Sequence, residues 1–123
     1  MADRPVPSAK LREALHGVPE ETILACAEFQ GTRGEAAFEQ ALSGLITHYL
    51  PAPPARPVAT LPATTNLVTE LRLDSLAMVE LAFVCEDIFG VRLTPETLGQ
   101  AVTLGDLRAL LRAALQLPPV PAV

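Results

Sequence analysis

Apolar residues recur at three- and four-residue intervals along most of this chain, and the breaks in that rhythm divide it into segments. Residues 1–7 contain Pro5 and Pro7 and lack the rhythm, so a frayed tail is expected there. Ser8 can cap a short helix reaching about Gly17, with Leu11 and Leu15 four apart on one face. Pro19 suits the start of a second helix, and Glu20 and Glu21 favour its dipole. That helix is expected to run to about Gln30 with Ile23, Leu24, Cys26 and Ala27 as its apolar side, before a break at residues 31–34. A third helix follows from about Glu35 to Leu50, where Phe38, Leu42, Leu45, Ile46 and Tyr49 form one buried stripe.

Pro51 stops the third helix, and residues 51–65 contain Pro51, Pro53, Pro54, Pro57 and Pro62. Neither a regular helix nor a central strand tolerates that density, so a stiff, extended connection is expected. It could separate two domains or form a long first loop within one bundle. The loop reading is favoured, because residues 66–115 alone would make a small core.

Asp74 is a good N-cap and Gly90 a good terminator for a strong helix between them. Leu76, Val79 and Phe83, joined by Ala82 and Cys85, are its expected buried face. Thr94-Pro95-Glu96 signals a short helix through about Gly99. Thr103 then caps a last helix whose Leu104, Leu107, Leu110, Leu111 and Leu115 can reach the core. Pro118, Pro119 and Pro121 mark an expected disordered tail over residues 118–123.

Composition agrees with helix packing. The 123 residues suit one compact domain, half of them are apolar, only 4% are aromatic, and Trp is absent. Ala and Leu propagate helices well, so the expected class is all-α. A net charge of −5 argues against nucleic acid, whose phosphates need clustered Lys and Arg, and fits partners with basic docking surfaces. Cys26 and Cys85 form no C-x-x-C motif and are expected as buried free thiols. Neither a secretory leader nor a membrane span of about 20 apolar residues is visible, so the cytoplasm is the expected compartment and a monomer the expected state.

The stretch NLVTELRLDSLAMVELAFVCEDIFGVRLTPETLGQAVTLGDLRALL closely resembles the acyl carrier protein family. In that family an Asp-Ser-Leu triplet opens a major helix, and its Ser receives 4'-phosphopantetheine from coenzyme A. Asp74-Ser75-Leu76 matches the triplet, supported by Glu70-Leu71, Val79-Glu80-Leu81, Phe89-Gly90 and Thr103-Leu104-Gly105-Asp106 over about fifty residues. The resemblance implies attachment at Ser75, flanked by Asp74 and Leu76, and docking of partner enzymes through Glu80, Glu86 and Asp87. A helix start also suits a phosphodiester, because its free N–H groups favour an anion. Without the flanking motifs, Asp74 and Ser75 would read simply as a capping pair.

The sequence departs from the family pattern at three places. Arg72 stands where the family often has Gly, Ala77 replaces a frequently acidic position, and Ile88 replaces a frequent carboxylate. These differences and the N-terminal extension fit a carrier dedicated to one lipid, fatty-acid or polyketide-type pathway. Asp74, where peptidyl carriers usually have Gly, favours an acyl cargo over an aminoacyl one.

Other chemistry finds little support. Residues 73–77 lack the G-x-S-x-G elbow of a hydrolase. His16, His48, Cys26 and Cys85 lack zinc-ligand spacing, and GTRG at 31–34 lacks the G-K-[ST] ending of a phosphate loop. The expected molecule is an acyl-carrier-like bundle of three main helices plus a short one. It spans residues 35–117, with an N-terminal helical extension at 1–34. It is expected not to be an enzyme; its partners would be a phosphopantetheinyl transferase and acyl-loading, condensing or acyl-transfer enzymes. An unmodified interaction domain and a peptidyl carrier are the alternatives.

Overall fold

The computed structural model describes residues 7–117, so the expected disorder at 118–123 and nearly all of the expected N-terminal tail lie outside it. The helices are α1 (Ala9–Ala14), α2 (Glu20–Thr32), α3 (Glu35–Tyr49), α4 (Ser75–Phe89), α5 (Pro95–Leu98) and α6 (Leu104–Leu115). A single 3-10 turn at Val58–Thr60 interrupts the proline-rich connection. Among the described residues no strand forms, and Asn66 and Thr103 make an isolated bridge. The fold is all-α, as the apolar rhythm required.

Capping side chains set three of the helix starts. Ser8 Oγ accepts the Leu11 N–H at 3.1 Å, and Asp74 Oδ1 accepts the Ala77 N–H at 2.8 Å. Thr103 Oγ1 accepts the Asp106 N–H at 3.1 Å while Asp106 Oδ2 accepts from Thr103 in return, a reciprocal capping box. Several helix ends differ slightly from expectation, and α1 stops at Ala14, short of the expected Gly17. Helix α2 runs two residues past Gln30, and the break falls at Arg33, which turns the chain at φ 58°. The Arg33 guanidinium lies 5.0 Å from the centre of the Phe29 ring, which favours this later turn. Helix α3 stops at Tyr49, ahead of Pro51.

The core is continuous across the N-terminal hairpin, formed by α1 and α2, and the rest of the chain. Its centre is three aromatic rings. Phe29 of α2, Phe38 of α3 and Phe89 of α4 lie with centroids 5.2–5.9 Å apart, in tilted and edge-on arrangements, which suit the ring quadrupole. Gln30 Nε2 also donates to the Ile88 carbonyl at 3.2 Å, tying α2 to α4. On the other side, Arg112 of α6 reaches Glu35 at 2.9 Å and Glu39 at 3.1 Å, and its guanidinium lies 5.4 Å from the Phe38 centroid. Arg108 adds a 3.1 Å pair to Glu39. Arg12 grips Glu20 with two nitrogens, but both side chains are exposed and screened, so this pair contributes little.

The expected inner face of α4 needs correcting. Leu76 is 66% exposed and Phe83 58% exposed, while Val79 is half-buried. The core side is instead Leu81, Ala82, Val84, Cys85, Ile88 and Phe89. Apolar residues occur all around this helix, so periodicity alone admits more than one stripe. The acids decide between them. At about 100° per residue, Glu80 and Asp87 fall within about 60° of Leu76 and Phe83, and burying that stripe would bury both carboxylates.

Candidate functional site

A tight turn delivers the chain to α4. Asn66 Oδ1 accepts the N–H groups of Val68 and Thr69 at 2.9 and 2.8 Å, and Glu70 Oε2 accepts the Asn66 N–H at 2.8 Å. The turn is anchored on both sides, because Leu73 donates to the Leu67 carbonyl and Leu67 to the Val102 carbonyl. Glu70 therefore braces the turn. The start of α6 holds the preceding strap: Leu104 donates to the Thr65 carbonyl and Gly105 to the Ala63 carbonyl. A Cβ on Gly105 would meet the Ala63 methyl and carbonyl at 3.1 Å, so the glycine of Thr103-Leu104-Gly105-Asp106 permits this close approach.

Arg72 closes the turn at φ 61°, a left-handed conformation that costs a side-chain-bearing residue energy. That backbone demand accounts for the glycine common at this position in the family this stretch resembles. Arg72 keeps its exposed side chain two residues before the cap Asp74.

Ser75 is the first residue of α4 and is exposed. Asp74 satisfies the Ala77 amide, while the amides of Ser75 and Leu76 have no partner within the helix, as at any helix start. A phosphodiester on the Ser75 oxygen would meet those donors and the positive end of a 15-residue helix. The exposed side of α4 carries Leu76, Phe83, Glu80 and Asp87 together. Glu86 lies to one flank and is half-buried. Of the expected docking acids, the structure thus joins Glu80 and Asp87 to the exposed apolar pair and sets Glu86 aside.

Other residues singled out in the sequence lie elsewhere. Leu104 is wholly buried, and its N–H donates to the Thr65 carbonyl. The Tyr49 hydroxyl is pushed above the usual phenol range by burial, then by the neighbouring Glu80 and Cys85. Cys26 and Cys85 are free and buried, and burial raises both thiols to about 12. A groove of about 700 Å³ opens between α2, α3 and the proline-rich connection, lined in part by Glu21, Gln40, His48 and Arg56. Its lining includes no residue of α4. Sequence reasoning missed Val68 and Val102, 59% and 54% exposed on the two segments that meet at the Asn66–Thr103 bridge. Their only signal is an apolar residue beside a turn.

Residues 50–111 match the family model for the phosphopantetheine attachment site, a span holding the turn, α4, α5 and most of α6. The chain belongs to that family. Comparison with curated proteins found no match. Family members are carriers without catalysis of their own, and this carrier is not an enzyme. The group they bear is 4'-phosphopantetheine, and the exposed helix start fits it. The carrier has three serines, Ser8, Ser43 and Ser75, and only Ser75 lies within the matched span. Among the described residues no helix is long and apolar enough to cross a membrane, and no three His, Cys, Asp or Glu residues cluster as metal ligands would.

Proposed function

We propose that Ser75 of this carrier receives the phosphopantetheine group, and that the exposed face of α4 is where its enzymes dock. The observation that carries the reading is the position of Ser75: the sole serine of the matched span, exposed at the N-terminus of a long capped helix. When bound, the group supplies a flexible arm with a terminal thiol that holds an acyl chain as a thioester. The protein's own contribution is to present the attachment oxygen, orient it through the Asp74 cap and surround it with a recognisable surface. Ser75 needs no activating base in this chain, because the transferase brings the chemistry.

The docking face has an apolar centre, Leu76 and Phe83, bordered by Glu80 and Asp87. It fits a partner groove that is apolar within and rimmed by Lys or Arg. Asp74 favours acyl cargo, while Arg72, Ala77, Ile88 and the N-terminal extension favour a carrier dedicated to one lipid, fatty-acid or polyketide-type pathway, working in the cytoplasm as a monomer. Incubation with coenzyme A and a broad-specificity transferase should add one phosphopantetheine to the carrier, read as intact mass. Phe83→Ser should slow that modification severalfold while leaving stability within about 0.5 kcal/mol, as befits a surface position. No added mass on a folded carrier across several transferases would reject attachment, and an unchanged rate in Phe83→Ser would remove Phe83 from the transferase-docking face.

A further inference from the structure

Cys26 and Cys85 lie on different helices, and the aromatic cluster fixes their register. Helices α2 and α3 are joined by two residues and run antiparallel. Helices α3 and α4 are also antiparallel: Phe38, near the start of α3, meets Phe89 at the end of α4. Tyr49, at the end of α3, is near enough to Glu80 and Cys85 for their charges to act on its hydroxyl. Helices α2 and α4 therefore run parallel. They touch where Phe29 meets Phe89 at 5.2 Å and where Gln30 reaches the Ile88 carbonyl at 3.2 Å.

One helical turn back from that contact, Cys26 stands three residues before Phe29 and Cys85 four before Phe89. In parallel helices this brings the two thiols level. Both are fully buried in the same core, and they lie near enough for the charge of Cys26 to act on Cys85. Packed helices lie about 8–10 Å apart between axes, which leaves facing Cα atoms within reach of the about 4.4–6.8 Å that a disulfide spans.

We propose that Cys26 and Cys85 form a redox latch, a disulfide that covalently ties the N-terminal hairpin to the helix bearing Ser75. The oxidant is a small-molecule disulfide such as glutathione disulfide. The two thiols give up two protons and two electrons and the Cys26–Cys85 S–S bond forms. The oxidant's own S–S bond breaks, and its two sulfurs leave as thiols with those protons and electrons. Burial holds both thiols largely protonated, so exchange proceeds only when α2 lifts from the core, and the latch closes slowly. Reduction restores a hairpin held by packing and the Gln30–Ile88 hydrogen bond. The latch is independent of the carrier reading, since it involves neither Ser75 nor its arm.

The test uses the full chain with Ser75→Ala, which cannot bear an arm thiol. The reduced, unfolded protein is refolded in a mixture of glutathione and glutathione disulfide, then mapped as peptides without reduction. The expected product is a monomer with a Cys26–Cys85 linked peptide, two hydrogens lighter than the reduced chain and equally helical by circular dichroism. Its thermal midpoint should rise by on the order of 10 °C over the reduced protein, and dithiothreitol should reverse the gain. Folded monomers with both thiols free or capped by glutathione would overturn the latch. So would a cross-link found only between chains, or one accompanied by loss of helix. The reduced parent is the reference, so the result does not depend on whether a Cys26→Ser chain folds.

Discussion

Arg72 holds φ at 61° where the turn delivers the chain to Asp74 and Ser75. A side chain there costs about 1–2 kcal/mol, and glycine would avoid that at an entropic cost of about 0.5–1 kcal/mol. Arg72→Gly should therefore raise stability by about 0.5–1 kcal/mol in urea denaturation, and a loss would mean that the guanidinium makes a contact worth more than the strain. The serine and its cap were legible at this scale, because Asp-Ser at a helix start is a local pattern. The positive φ was not legible, since nothing in Arg-Leu-Asp demands it; only the glycine expected by resemblance hinted at a special backbone. The buried state of Cys26 and Cys85 was also foreseeable from their apolar surroundings.

Elements end where their caps act, and α6 shows what a cap contributes. The amides of Val102 and Thr103 hold the Asp106 carboxyl below the ordinary carboxylate range, against a smaller opposing effect of burial. A carboxylate depressed on folding stabilises above its unfolded pKa, and that contribution disappears as pH falls through the lower folded value. Asp106→Asn should lower the thermal midpoint at pH 7. The difference from wild type should shrink as pH falls through the lowered folded value, and a deficit constant with pH would point to lost packing instead. For α4 the element was legible and its orientation was not. The three-and-four spacing of Leu76, Val79 and Phe83 looked like a core stripe, yet Glu80 and Asp87 flank it, and the burial of Ile88 and Phe89 sets the true inner face. A helix packed on more than one side loses the simple amphipathic signature.

At the scale of the whole molecule, the hairpin of α1 and α2 shares the core of the helices it precedes. Phe29 is the link: it is fully buried, and both Phe38 and Phe89 rest on its ring. Phe29→Ala should cost about 3–5 kcal/mol, read from urea denaturation. A cost below about 1 kcal/mol would mean that the hairpin packs loosely and that α3 to α6 stand alone. The helices and their order could be read from the chain, but the side of the bundle that the hairpin covers could not. That choice depends on three aromatic rings distant in sequence, and no local pattern records which of them meet. The proposed attachment site was easier to single out because its residues are neighbours in the chain.

The most direct measurement is tandem mass spectrometry of peptides from the carrier after reaction with coenzyme A and a phosphopantetheinyl transferase. The account predicts the modification on the peptide containing Asp74-Ser75-Leu76 at the Ser75 oxygen, with none on Ser8 or Ser43 and none anywhere in Ser75→Ala. Modification of another residue, or its persistence in Ser75→Ala, would contradict the assignment of Ser75 as the attachment site.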